Sequence, residues 1–106
     1  MLFKPEHVEM IKNGTKTQTR RNWKRRMVKP GGIYKVKTEM LSKDYHCKIK
    51  VTDVRKEMLY GLTVEDAQKE GYNSIEEYEK VWESINGSFD NICVYVIDFE
   101  LLKGES

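Results

Sequence analysis

The chain has 106 residues, 39% of them apolar, 34% charged and 10% aromatic, a composition that fits one globular domain over residues 1–106 and is too rich in aromatics for a disordered chain. No apolar run approaches the ~18 residues of a membrane span, and the opening MLFKPEHVEM lacks the charged-then-apolar order of an export signal, so a cytoplasmic location without membrane contact is expected. The net charge of +2 hides an uneven distribution: residues 10–38 hold ten basic side chains and no acid, whereas residues 63–90 hold eight acids against Lys69 and Lys80.

Pro5 suits the first turn of a helix, where its missing N–H is no loss. His7, Val8 and Ile11 follow as an apolar stripe, so a helix over residues 5–13 is predicted, with Gly14 as its stop. Residues 15–21 (TKTQTRR) alternate and are rich in threonine, which predicts an extended segment. Residues 22–27 read as a polar loop around Trp23, and Lys29-Pro30-Gly31-Gly32 as a turn.

Two half-buried strands are predicted next. Over residues 33–38, Tyr34 and Val36 alternate with Lys35 and Lys37; over residues 46–55, Cys47, Ile49 and Val51 alternate with Lys48, Lys50 and Thr52. Thr63 with Asp66, and Ser74 with Glu77, have the spacing of capping boxes and open two helices that end at Gly71 and at Asn86-Gly87. Ile75, Tyr78, Val81, Trp82 and Ile85 share a face of the second, with Trp82 placed in the core. Residues 92–102 (ICVYVIDFELL) are almost continuously apolar, as in a central strand covered on both sides. The order α, β, β, β, α, α, β favours an α+β fold with a closed or partly closed barrel. Cys47 and Cys93 read as free, buried thiols.

No Cys-x-x-Cys, no His pair at ligand spacing, no P-loop and no Gly-x-Gly-x-x-Gly occurs, so neither a metal nor a cofactor is expected. Chemistry concentrates in residues 14–21, where Thr17, Thr19 and Arg21 alternate with Lys16, Gln18 and Arg20. Short hydroxyls followed by forked guanidiniums offer many hydrogen bonds to a polar anionic ligand; a solvated surface strand has the same composition. The charge asymmetry implies a positive face for polyanions, unless the basic and acidic segments pack together and cancel.

Gly14-Thr15-Lys16-Thr17-Gln18-Thr19-Arg20-Arg21 after a short helix resembles the signature of the ASCH superfamily. Lys29-Pro30-Gly31 resembles that family's second element, and Val94-Tyr95-Val96-Ile97-Asp98-Phe99 its last strand. The resemblance implies a PUA-like (ASCH) small mixed β-barrel with about three helices and a cleft lined by the first motif. Among characterised members the chain is most similar to the small bacterial N4-acetylcytidine amidohydrolases. That likeness implies Lys16 as proton acceptor, Thr19 as nucleophile, Glu70 as proton donor and Arg21 as ligand holder. Threonine needs an adjacent base to become a nucleophile, and Lys16 can be that base only if burial or the neighbouring Arg20 and Arg21 lower its pKa.

The chain departs from those hydrolases after the arginine. Asn22-Trp23-Lys24-Arg25-Arg26 is basic around an aromatic, which suits phosphate contacts with base stacking, although Trp23 suits a core anchor equally well. Gly32 stands where the family often has Asp. The candidate ligand or RNA contacts are therefore Thr17, Arg20, Arg21, Trp23, Lys24, Arg25 and Arg26. Three functions compete: hydrolysis of an acylated cytidine, RNA binding without catalysis, and a less favoured ribonuclease. The partner is RNA or a modified nucleoside, and the chain is expected to act as a monomer.

Overall fold

A computed structural model of the chain describes residues 1–102. The predicted order of elements holds. Helix α1 (Pro5–Lys12) buries His7, Val8 and Ile11. It ends one residue before the expected limit because Asn13 caps it and Gly14, at φ +84°, turns the chain. Strand β1 (Gln18–Arg21) is shorter than the predicted segment. Its first residues are bound elsewhere: Lys16 N–H donates to Met10 C=O at 3.0 Å and Thr17 N–H to Lys69 C=O at 2.8 Å.

Strand β2 (Ile33–Val36) stops before Lys37, which forms an isolated parallel bridge with Leu2. Strand β3 (Cys47–Met58) runs past the predicted end. A register shift between Val51 and Asp53 leaves Thr52 unpaired and changes which alternate side chains face inward. The sequence pattern breaks there, although the ladder does not.

A 3₁₀ turn (Leu59–Gly61) leads to α2 (Val64–Glu70). Thr63 and Asp66 form the expected reciprocal cap, at 3.0 and 3.1 Å. Ser74 caps α3 (Ile75–Asn86) by accepting from Glu77 N–H at 3.2 Å. The reciprocal half is missing, because the Glu77 carboxylate takes the Asn73 N–H instead, at 3.3 Å. On α3, Tyr78 and Trp82 are buried while Ile85 is exposed.

Strand β4 (Cys93–Leu102) completes an antiparallel sheet in the order β1-β4-β3-β2. The sheet curls into a half-barrel of the expected α+β class. β4 is central, and both its faces are covered. Val94 and Val96 pack with Leu59, Tyr78 and Trp82 under α3. Ile97 joins Val28 and Val51, while Phe99 joins Phe3, Ile11 and Ile49 under α1. The cysteines are free but not buried as expected: Cys47 is half-buried and Cys93 exposed, at strand ends whose register partners differ. Among the described residues no helix is long and apolar enough to cross a membrane.

Candidate functional site

The turn at Gly14 aims the following strand at the end of α2, and Gly71 permits the close approach. At φ +105° Gly71 ends α2, and a Cβ there would come within 2.6 Å of Met10 Sδ. Glu70, the last residue of α2, is thereby held beneath β1 at 2% exposure, with Lys16 at 3% and Arg20 at 5%.

Lys16 Nζ makes three hydrogen bonds: 2.6 Å to Glu70 Oε1, 2.9 Å to Gln18 C=O and 3.2 Å to Glu70 C=O. The last is one of the carbonyls a helix end leaves without a partner, and an ammonium is favoured there. Arg20 donates to the other Glu70 oxygen at 3.1 Å and to the Gln18 side-chain oxygen. Gln18 Nε2 donates to Asp98 Oδ1 at 2.8 Å, and Arg55 binds Asp98 Oδ2 at 2.5 Å. Arg20 also lies 3.4 Å from Asp66 and 3.7 Å from Glu57, yet its buried Nε and one terminal nitrogen have no hydrogen-bond partner among the described residues. Burial pulls the Lys16 pKa below the ordinary lysine value despite the opposing pull of Glu70, and Arg21 and Arg20 add to the lowering.

This cluster forms one wall of a half-open cleft of about 490 Å³, within the size range of small-ligand sites. Thr19 lines it, and no hydrogen bond occupies its hydroxyl among the described residues. Arg21 reaches Leu2 C=O at 2.7 Å and lies 4.6 Å from the centre of the Phe3 ring. Trp23 stands at the rim, half-buried, its ring 6.1 Å from that of Tyr95. It serves both as an anchor against the core and as part of the wall.

Lys16, Thr19, Arg20, Arg21, Trp23 and Glu70 are thus brought together. Thr17 faces solvent outside the cleft, and Lys24, Arg25 and Arg26 are exposed on the loop beyond Trp23 without forming its wall. The packing together of basic and acidic segments holds in part. Lys16 and Arg20 pack against acids of α2 and cancel them, while the loop charges stay free of carboxylates among the described residues.

Sequence reasoning missed His7 and Tyr72, which face each other in the cleft with His7 Nε2 2.6 Å from the Tyr72 hydroxyl. Burial, and secondarily Lys16, push the His7 pKa down to about 4, while burial raises Tyr72 to about 12. At neutral pH a neutral imidazole therefore pairs with a neutral phenol. His7 was legible only as a member of an apolar helical stripe, and Tyr72 follows the glycine that ends α2 with no periodicity to mark it.

No family model and no curated protein matches the chain. Three solved structures are similar to it. The ASCH domain from Lactobacillus crispatus JV V101 superposes with a TM-score of 0.71 over 91% of this chain and 70% of that one, at 14% identity. The hypothetical protein PH0355 gives 0.70 at 28% identity, with 94% of each chain covered. A DUF984 protein from Enterococcus faecalis V583 gives 0.66 at 15% identity, over 90% of this chain and 66% of that one. The fold is that of an ASCH, PUA-like domain.

Proposed function

We propose that this ASCH-fold chain holds a nucleobase, presented by RNA or by a modified nucleoside, in the cleft beside β1 and hydrolyses the acetyl amide of N4-acetylcytidine. The observation that carries the reading is the Lys16–Glu70 contact of 2.6 Å in the wall of a cleft that Thr19 also lines. A buried acid–base pair beside an unoccupied hydroxyl has the parts for acyl transfer without a metal.

In the resting state all three N–H bonds of Lys16 are engaged, so the proton sits on the lysine. The reactive state follows when that proton crosses to Glu70, leaving a neutral amine and a neutral acid. Burial favours this exchange because two charges out of water are expensive; Arg20 on the other carboxylate oxygen opposes it and keeps it a minor state. Lys16 then takes the Thr19 hydroxyl proton as the oxygen attacks the acetyl carbon. The C–N bond breaks, and Glu70 gives its proton to the departing cytosine amine. This leaves acetyl-Thr19 and restores the ion pair. A second transfer from Lys16 to Glu70 prepares hydrolysis: Lys16 takes a proton from water as it attacks the ester, and Glu70 returns one to the Thr19 oxygen, releasing acetate. Arg21 holds the ligand at the mouth.

Incubation with N4-acetylcytidine is expected to release cytidine and acetate, with the reaction lost in Lys16→Ala and Thr19→Ala. No release by folded wild-type protein sinks the catalytic part. A second reading, RNA binding without catalysis, is favoured by the exposed Lys24-Arg25-Arg26 beyond Trp23. It predicts binding of cytidine-containing RNA with no turnover.

A further inference from the structure

The outer face of β2 and β3 is strongly cationic for reasons the cleft does not explain. Alternation turns Tyr34, Val36, Ile49 and Val51 inward and leaves Lys35, Lys48 and Lys50 exposed. The register sets Lys35 directly opposite Lys48, and like charges so placed destabilise a sheet. Glu100 lies opposite Lys50 without closing an ion pair, and none of the three lysines has a carboxylate within 4 Å among the described residues. Tyr45 organises the group: the ammoniums of Lys35 and Lys48 lie 5.0 and 5.6 Å from its ring centre. Two cations are gathered on one ring.

The cleft reaches the end of β2, the strand that carries Lys35. Thr38 lines the cleft, and its hydroxyl is 3.4 Å from Nε2 of His46, the neighbour of Tyr45 in the chain. Thr38 is three residues from Lys35, a span of at most about 11 Å, within reach of a short oligonucleotide.

We propose that the face formed by Lys35, Tyr45, Lys48 and Lys50 is a second contact surface for RNA, taking the phosphates that flank the base seated in the cleft. The inference rests on the nucleobase reading of the cleft and adds that the preferred ligand is a strand, not a free nucleoside. The lysines offer point charges to phosphates and read no sequence. Met40 and Leu41 are exposed in the same β2–β3 connection, so an anionic lipid surface is the competing occupant.

The test compares wild type with the triple variant Lys35→Gln, Lys48→Gln, Lys50→Gln, and with Lys80→Gln on α3 as the control for charge alone. Ligands are free cytidine, labelled single-stranded RNAs of increasing length, and vesicles of phosphatidylserine with phosphatidylcholine. The expected result is RNA affinity that rises with length in wild type and falls at least tenfold in the triple variant. The slope of log affinity against log salt should become shallower by about 2, roughly 0.7 for each of three phosphates. Cytidine binding should stay unchanged, and the melting temperature should not fall, since the variant removes the repulsion between Lys35 and Lys48. Equal RNA affinity and slope in variant and wild type overturn the proposal, as does vesicle binding that alone depends on the lysines. RNA binding lost in the triple variant, with no cytidine binding in any protein, supports the patch and sinks the cleft reading. Cytidine binding without any gain from RNA length does the reverse.

Discussion

Replacing Glu70 with Gln removes one charge from the buried cluster while keeping the size of the side chain. Lys16 and Arg20, at 3% and 5% exposure, are then left facing a neutral amide. Breaking a buried ion pair by deleting one partner costs about 3–5 kcal/mol, because the remaining charge is uncompensated. For a domain of this size that is a fall in melting temperature of at least about 12 °C, against a total stability of about 5–15 kcal/mol. Lys16→Met is the contrasting change. It leaves Glu70 paired with Arg20 at 3.1 Å and loses mainly the hydrogen bonds to Gln18 C=O and Glu70 C=O, about 1 kcal/mol each.

Glu70→Gln is therefore expected to destabilise more than Lys16→Met by roughly 2 kcal/mol, read as midpoints and slopes of urea unfolding followed by circular dichroism. The pH dependence provides a second measure. A lysine whose folded pKa lies below its unfolded value is bound to fewer protons in the folded state, so stability rises with pH across the interval between the two. Lys16 is such a group, and without Glu70 to hold its proton the rise should be steeper in Glu70→Gln than in wild type. Glu70→Gln proving no worse than Lys16→Met, with a flat profile, would mean that water reaches the cluster and that the exchange of charged for neutral pair has no driving force.

Three other outcomes follow from the geometry. His7, with a folded pKa of about 4 against 6.5 unfolded, binds fewer protons when folded, so its contribution is present above about pH 6.5 and is lost as pH falls toward 4; His7→Gln should flatten the pH dependence of urea midpoints over that window, and an unchanged slope would remove His7 from the account. Gly71→Ala places a side chain at φ +105° against Met10 and should cost about 1–2 kcal/mol in thermal unfolding, with loss of cleft binding if Glu70 shifts; a neutral outcome would show that α2 ends differently. Neutralising Lys24, Arg25 and Arg26 together should make RNA affinity less steep in salt by about 2 while leaving N4-acetylcytidine turnover intact, since none of them lines the cleft; a loss of turnover would place the loop inside the site.

The fold was more legible in the sequence than the site. The glycines and capping residues around α2 and α3, and the alternation in β2 and the first half of β3, are local rules and held locally. The end of β3 was misjudged because a bulge at Thr52 inverts the inward face, and a two-residue period cannot be read across a bulge. The burial of both thiols was misjudged because Cys47 and Cys93 sit at strand ends, where alternation no longer implies cover. The resemblance named Lys16 and Thr19 in residues 14–21, and Glu70 at the end of α2, all three of which line the cleft. Composition left residues 14–21 indistinguishable from a solvated strand, since nothing within them announces that α2 will pack across β1. His7 and Tyr72 meet 65 residues apart, and only the tertiary structure joins them.

The burial of Lys16, Gln18, Arg20 and Glu70 itself bears on function. A core of this size has little apolar surface to spare, and apolar residues of similar volume in place of a buried ion cluster are often neutral or stabilising. Yet charges and amides fill the space between β1 and α2, and two Arg20 nitrogens stay without hydrogen-bond partners among the described residues. Structural ion pairs are normally closed, each donor matched to an acceptor. Here the cluster is closed on the side of the sheet, through Gln18, Asp98 and Arg55, and borders the cleft on the other, where no hydrogen bond occupies the Thr19 hydroxyl among the described residues. That one-sidedness is difficult to explain by stability alone. It is what the proposed hydrolysis requires of its site: the sheet side would fix the lysine and carboxylate in place, so that no reorganisation is needed when a ligand enters from the open side.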